Sequence, residues 1–575
     1  MDKKDVAHLL EEIAAFLELK GENAFRVRAY HTAARTVASY AGDIREAVAS
    51  GALAEQKGIG PTTLGIITEA LDTGRASVLE DLRAQIPSGL VEMMRVSGLG
   101  VAKIRQIHES LDIDTPAELE AAARDGRLAK LPRFGPKTAQ RILKGLEFLK
   151  QVNEFKLFHH ARDEARHLAR ALADLPSVTK VEIAGSVRRR VELIRDMDFV
   201  VQLDGPPNQL ADRLGNLVGV SEFVGNAPGA FTLRFASRTV ADVYVATAER
   251  WGFELVWATG NGQHLSGLRD RAAQMGIEWT EDGLLRNGEA LPCPTEEAVY
   301  ERLGLQFIPP ELREGDGEIE AAAQGTLPAL VEADDLRGFL HCHTNYSDGT
   351  STVRDWATAA KSQGFEYVGI TDHSAAAMYA GGLYADSIHE QHAEIDDINQ
   401  HIPDVRVLKG VEVDILEDGD LDYDEATRAS FDFVIASVHN RFGQDKQQMT
   451  DRILRAMDDP HMAILGHPTG RLLLSRDPYP MNMDAILTKA AETGTAVEIN
   501  AHPQRLDLDW KTVRRARAMG VTISVGADAH STAGMSNMDL GVGIARKAWL
   551  TADEVLNVRG VDGFLAHSSQ RRAHR

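Results

Sequence analysis

Residues able to hold a divalent cation recur at the ends of short apolar runs across positions 336–575. The runs are GFLHCHT, YVGITDH, VRVLKGVEV, FDFVIASVHN, AILGHP, TAVEINA and TISVGADAH. Their ends carry His341 and His343, His373, Glu412, His439, His467, and Asp528 with His530, while Asp348 follows the first run. Side chains alternate along a strand, so HxH and DxH each present two ligands on one side and turn Cys342 toward a core. Mixed imidazole and carboxylate donors suit Mn²⁺, Zn²⁺ or Fe²⁺ better than Mg²⁺ or Ca²⁺, and a carboxylate such as Glu412 can bridge two ions. A site of two to three such ions clamps a phosphate oxygen and acidifies a bound water, which predicts phosphoester hydrolysis. Asn500 and Arg505, in EINAHPQRLDL, are candidates to touch the substrate phosphate.

A second constellation lies in KVEIAGSVRRRVELIRDMDFVVQLDG. Asp196 and Asp198 share one face of a strand, and such a pair can bridge two Mg²⁺ or Mn²⁺ ions, activating a 3′-hydroxyl and stabilising a leaving pyrophosphate. The required third acid is Asp242, on the second arm of the hairpin TLRFASRTVADVYVAT. Gly185 and Ser186 end the preceding strand, and Arg188, Arg189 and Arg190 follow them, offering backbone donors and guanidinium groups to a triphosphate. Farther on, WATGNGQHLSGLRDRAAQMG (257–276) sets a Thr-Gly turn before a helix that carries Arg269.

The elements needed to position these groups fall into blocks. Strands alternating with helices such as VRDWATAAKSQG, with chemistry at each strand's end, predict a closed α/β barrel of seven parallel strands over 336–575. Residues 151–250 read as a small α+β domain, 251–315 as an appendage, and the acidic stretch REGDGEIEAAAQGT (313–326) as the structureless start of a linker (316–335). Residues 1–150 read as successive helices broken by three glycine turns, KGIGPTTL, SGLGVAKI and RFGPKTAQ. A turn that opens a helix leaves unpaired N–H groups able to bind a phosphate without reading sequence. Gly58, Gly60, Gly98, Gly100 and Gly135, with Lys103 and Lys137 just beyond two of the turns, are therefore the candidates for binding a phosphate backbone.

A chain of 575 residues exceeds one core and should form several domains. Two cysteines exclude a disulfide framework, and no apolar run reaches the roughly 18 residues of a membrane span. The expected setting is cytoplasmic, associated with the nucleoid, with no leader and no membrane partner. The net charge of −22 is uneven: residues 251–335 hold 5 basic against 17 acidic side chains, whereas residues 1–250 are neutral. Any attraction to DNA must then come from local placement of Arg and Lys.

The three turns resemble the helix-hairpin-helix motif, and residues 1 to about 315 together resemble a family X DNA polymerase with palm and small thumb. That resemblance implies metal ligation by Asp196, Asp198 and Asp242, triphosphate binding by Gly185, Ser186 and Arg189, and a nucleotide site lined by Trp257, Thr259, Gly260 and Arg269. The chain departs from the family pattern at Arg190 and Arg195 (usually glycine), Tyr244 (often basic), Asn261 (usually serine) and Leu265 (usually polar), which questions the triphosphate cradle. Thr62 and Ile66 stand where relatives with abasic-site lyase activity place lysines, so no Schiff-base lyase is expected. The set LHCHTNYSDGT, TDHS, GVEVDI, SVHN, GHP, EINA and GADAH resembles the polymerase and histidinol phosphatase (PHP) domain and implies an active trinuclear site. The leading expectation is a monomeric repair polymerase and 3′–5′ exonuclease acting on gapped or primer-template DNA, 3′ ends and dNTPs. The alternative is a small-phosphomonoester phosphatase whose polymerase-like half only binds DNA.

Overall fold

Strands that are apolar on both faces must be covered on both faces. In the computed structural model, which describes residues 3–40, 44–73, 75–96, 99–204, 206, 208–227, 229–236 and 239–573, the seven runs solve this by closing on themselves. Strands Gly338–Cys342, Tyr367–Ile370, Arg406–Asp414, Phe433–Ser437, Met462–Leu465, Ala496–Asn500 and Ile523–Ala529 pair in parallel in that order, and the last pairs with the first. On one parity, Phe339, Val368, Val407 and Val434 pack with helical Trp356, Ile388 and Ile395. On the other, Leu340, Leu408, Phe433 and Ile464 fill the barrel, with Leu556 and Phe564 completing that cluster. Gly369 and Gly410 make room for the Phe433 ring, since a Cβ on either would lie within about 2.6 Å of it. The predicted barrel is thus present, and Cys342 is fully buried in the strand–helix layer as expected.

The palm is a five-stranded sheet in the spatial order Val178–Ile183, Met197–Leu203, Val240–Ala246, Ala230–Phe235, Val220–Ala227. Its central pairing, Met197–Leu203 with Val240–Ala246, is parallel and sets Asp198 beside Asp242. The thumb follows, with helices Trp251–Thr259, Gly262–Gln274 and Glu296–Arg302 and a three-stranded sheet.

Residues Met1–Glu154 form one compact unit and Phe155–Arg575 another. The first is helical throughout its described elements, around two apolar clusters, one centred on Leu10, Ile13 and Ile67 and the other on Ile104, Leu119 and Ile142. No helix among the described residues is long and apolar enough to cross a membrane.

The expected structureless stretch is a correction. Residues 313–326 include helix Glu318–Gln324, and Arg313 and Glu318 are fully buried. Arg313 donates to Glu296 at 2.5 Å and to the Ile308 carbonyl at 2.9 Å. Glu318 pairs with buried His264 at 2.6 Å and accepts from the backbone N–H groups of Gly315 and Asp316. Acidic composition suggested solvation, but these charges have inward partners, the condition under which ionised groups can be buried. Removing one partner strands the other. Arg313→Ala should therefore cost about 3–5 kcal/mol, read as a lower urea midpoint for the Phe155–Arg575 unit, whereas the exposed Arg354→Ala should cost under about 0.5 kcal/mol.

Candidate metal and nucleotide sites

The barrel's strands end at one mouth, and eight of the nine predicted ligands meet there in three overlapping groups. These are His343, Asp348, His373 and His530; His341, His343 and Asp528; and His373, Glu412 and His439, with ligand atoms in each group within 4.8 Å of one another. His467, the ninth, places Nε2 3.0 Å from Glu412 Oε1. His341 Nε2 and both ring nitrogens of His343 are buried with no hydrogen-bond partner. An unsatisfied buried polar atom costs about 1–3 kcal/mol, which a cation at these nitrogens relieves, so the donor set fits divalent metal ions. Burial alone would raise the Glu412 carboxyl, but His439, His341 and His373 facing it hold it well below its ordinary range.

Local backbone departures aim the ligands. The first strand shifts register between Leu340 and Cys342, and His341 takes φ +59°, while Asp528 takes φ +48°. Side chains rarely adopt such angles without support, and strain of this kind concentrates at functional sites. Gly526 is obligatory beside them, since a Cβ there would lie 1.9 Å from Glu498 Oε1.

Two carboxylates not singled out in the sequence hold the imidazoles. Glu498 Oε1 lies 2.5 Å from His341 Nδ1 and its Oε2 accepts from the His467 backbone N–H, while Asp414 lies 2.6 Å from His439 Nδ1. Such partners select the ring tautomer and leave the opposite nitrogen for a metal. The available signal was strand alternation: Asp414 is two residues past Glu412, and Glu498 two before Asn500. Asn500 donates to Asp528 at 3.2 Å, and Arg505 Nε lies 3.0 Å from Asp528 Oδ2 while its Nη1 has no partner.

In the palm, Asp198 and Asp242 are register neighbours, and Asp196 precedes the same strand by one residue. Burial first, then Asp196 and Asp242, push the Asp198 carboxyl up to about 7, while the Tyr244 hydroxyl donates to it. Thr232 donates to Asp242 from the adjoining strand. Gly185 has φ +60°, and a Cβ there would sit 1.8 Å from Asp198 Oδ2, so only glycine allows this approach. Ser186 Oγ is buried without a partner, and three crowded acids with an unused hydroxyl fit a cation-bound phosphate.

The remaining nucleotide-site candidates make contacts within the protein. Arg189 is drawn to Glu314 at 3.0 Å and to the Thr259 carbonyl at 2.6 Å rather than standing open. Thr259 is fully buried, and its hydroxyl accepts from Arg188 at 3.2 Å, so its side chain does not line an open site. Arg269 lies 4.9 Å over the Trp257 ring, and Gly260 caps the helix before it, packed on His264 and Leu265. Among the departures, Arg190 takes φ +56° and donates to Asp539 on the barrel helix Met538–Lys547, and Asn261 donates to Glu314.

In the helical unit, Gly58 (φ +98°) packs on Thr32, and the Gly60 N–H donates to Thr63. Gly100 and Gly135 precede helices Val101–Leu111 and Pro136–Glu154 with open space around them. Lys103 lies 6.0 Å over the Phe134 ring, and Lys137 is exposed. Gly98 lies outside the described residues.

A helical unit with glycine-turn hairpins, a three-acid palm with a thumb, and a multi-ligand barrel define a nucleotidyltransferase joined to a metal phosphoesterase. Known domain families match accordingly: a helix-hairpin-helix domain at residues 1–76, a SAM-like helix-hairpin-helix tandem at 90–147, a DNA polymerase beta thumb at 254–314 and a PHP domain at 340–502. The chain is 35% identical over 573 residues to "DNA polymerase/3'-5' exonuclease PolX" of Bacillus subtilis (strain 168), covering 98% of this chain and 99% of that one. It is also 30% identical over 228 residues, 38% of this chain and 88% of the relative, to a "Probable phosphatase" of Thermoanaerobacter sp. (strain X514). The chain therefore belongs to the PolX family of DNA polymerases, whose family X core is followed by a PHP domain.

The Asp198 environment yields a signed pH effect. Its folded pKa, about 7, exceeds the ordinary aspartate value of 3.8, so stability from this group is complete below about pH 4 and lost as pH rises through 7. Metal-free protein should melt progressively lower across that window. Asp198→Asn or saturating Mg²⁺ should flatten the loss in scanning calorimetry, and an unchanged slope in the variant would exclude this source.

Proposed function

We propose that the chain is a DNA repair polymerase that fills gaps by template-directed nucleotidyl transfer and removes nucleotides from 3′ ends with its barrel. The observation that carries this reading is end-to-end similarity to a polymerase/3′-5′ exonuclease, in a chain where Asp196, Asp198 and Asp242 are neighbours in the palm and eight candidate ligands, with His467 against Glu412, gather at the barrel mouth. In the palm, Asp196, Asp198 and Asp242 would hold Mg²⁺ or Mn²⁺, which supply charge for an attacking 3′-hydroxyl and a departing pyrophosphate. Gly185 leaves room for the triphosphate beside Asp198, and Ser186 Oγ donates to one of its oxygens. Arg189 joins them only by leaving Glu314. Thus triphosphate binding and the Arg189–Glu314 pair compete.

At the barrel mouth the nine ligands would hold two to three Mn²⁺, Zn²⁺ or Fe²⁺ ions, which supply Lewis-acid charge to the scissile phosphodiester. Arg505 offers its unpartnered Nη1 to a phosphate oxygen, Asn500 holds Asp528, and Asp414 and Glu498 keep the imidazoles oriented. The glycine turns of the helical unit bind the DNA backbone through helix N-termini, with Lys103 and Lys137 adding charge. The protein is proposed to act as a monomer on gapped or primer-template DNA with dNTPs.

Primer degradation with Mn²⁺ should vanish in His343→Ala and survive in Asp198→Ala, and gap filling should show the reverse. Equal loss of both activities in either variant would defeat the division of labour, and hydrolysis of small phosphomonoesters without any action on DNA would favour the alternative. Abasic-site lyase chemistry by a Schiff base is not expected, because Thr62 carries no amine and Ile66 is buried in the helical core. Borohydride treatment on an incised abasic site should leave no covalent adduct, and an adduct would overturn this.

A further inference from the structure

Large apolar side chains exposed to water are informative when they cluster, because single ones are ordinary. Among the described residues, Met378, Tyr379 and Tyr384 are 79%, 72% and 62% exposed, and all three belong to one loop. That loop runs from the ligand His373 to helix Ala385–His401. Its neck is tightly held. Leu383 N–H donates to the His373 carbonyl at 3.0 Å, Gly382 N–H to Ala377 at 3.2 Å, and Ala376 N–H to Asp422 at 2.7 Å. The Tyr423 hydroxyl donates to the Leu383 carbonyl, and Gly382 passes so close to Ser374 that a Cβ would lie 1.9 Å from its carbonyl oxygen. A loop pinned at its base, with Leu383 packed into the core, therefore holds Met378, Tyr379 and Tyr384 out in water.

The aromatic apex stands at the metal centre. The Tyr379 ring centroid lies 6.2 Å from that of His373 and 6.3 Å from that of His439, at interplanar angles of 62° and 71°. Phosphate-directed chemistry is supplied by the ligands and by the unpartnered Nη1 of Arg505. A phosphomonoester or inorganic phosphate has no use for an exposed phenol ring there. A nucleotide does, because its base sits one sugar away from the phosphate and presents a π-face to any aromatic platform.

We infer that the loop Met378–Tyr384 is a nucleobase-stacking site, with Tyr379 receiving the terminal base of a DNA 3′ end whose phosphodiester lies at the barrel ligands. This rests on the exonuclease reading above and adds what selects the substrate. Tyrosine suits the task, since two side-chain torsions leave little entropy to lose on stacking. Stacking is also indifferent to base identity, which a 3′-end nuclease requires. Tyr379 acts here as a binding residue and takes no part in moving protons or electrons.

The test uses the full-length protein with Mn²⁺ and two 5′-labelled single strands, one ending in ordinary nucleotides and one whose last two positions are abasic. Tyr379→Ala should raise KM on the ordinary strand roughly 5- to 150-fold, the worth of one base–aromatic stack, with kcat held. On the abasic strand wild type and Tyr379→Ala should match, and Tyr379→Phe should behave as wild type on both. Bound metal per chain, measured on the same preparations, should be unchanged in the variants. Equal loss on both strands, a fall confined to kcat, or no change on the ordinary strand overturns the proposal while the exonuclease reading stands. Wild-type protein that cleaves neither strand yet hydrolyses p-nitrophenyl phosphate overturns the exonuclease reading, and this proposal with it.

Discussion

Glu412 sets the terms for the barrel. Its carboxylate is 1% exposed and faces ring nitrogens of His467, His373, His439 and His341 at 3.0, 3.1, 3.2 and 3.4 Å. Taking an ionised carboxylate out of water costs several kcal/mol unless partners replace its hydration. Those partners come from the ends of four other strands, and only a closed barrel brings such ends to one place. The same closure buries the imidazoles and leaves His341 Nε2 and both ring nitrogens of His343 without a hydrogen-bond partner, a donor set that suits divalent cations. Glu498 and Asp414 extend the arrangement outward, each carboxylate fixing a ring that in turn faces Glu412.

The palm and thumb depend on a second set of buried charges, shared with the barrel helix Met538–Lys547. Lys547, 1% exposed, donates to Glu314 and to the Arg189 carbonyl, and Arg546 donates to Glu311 at 2.8 Å. Arg189 and Asn261 converge on the same Glu314. Arg190 reaches Asp539 through a backbone angle that favours glycine, and its side chain packs on Gly543. Two departures from the family pattern, Arg190 and Asn261, thus join this set, Arg190 through Asp539 of the barrel helix and Asn261 through Glu314. Tyr244 is of another kind, since it donates to Asp198 within the palm itself.

Much of this was legible in the residues. Period-two alternation and donor residues at run ends implied the barrel and the nine candidate ligands that its mouth gathers, because a strand's register alone decides which side chains share a face. DMD and the hairpin carrying Asp242 implied the palm acids for the same reason. The glycine turns announced their helices, since glycine and proline act on the local backbone. Gly185 was expected beside a triphosphate from its place at a strand end, but that Asp198 fills the space of its missing Cβ was not legible.

What sequence could not decide was pairing between distant charges. The stretch 313–326 has the composition of a solvated linker, yet Arg313 meets Glu296 and Glu318 meets His264 in the interior. Arg189 was expected to face a triphosphate, and its pairing with Glu314 and the Thr259 carbonyl could not be read from the sequence. Local side-chain type and spacing determined the elements and the donor sets, which follow from short-range geometry. Which buried charge neutralises which, and which aromatic side chain is left facing water beside the metal ligands, depends on contacts between residues far apart in the chain, and only the tertiary structure specified them.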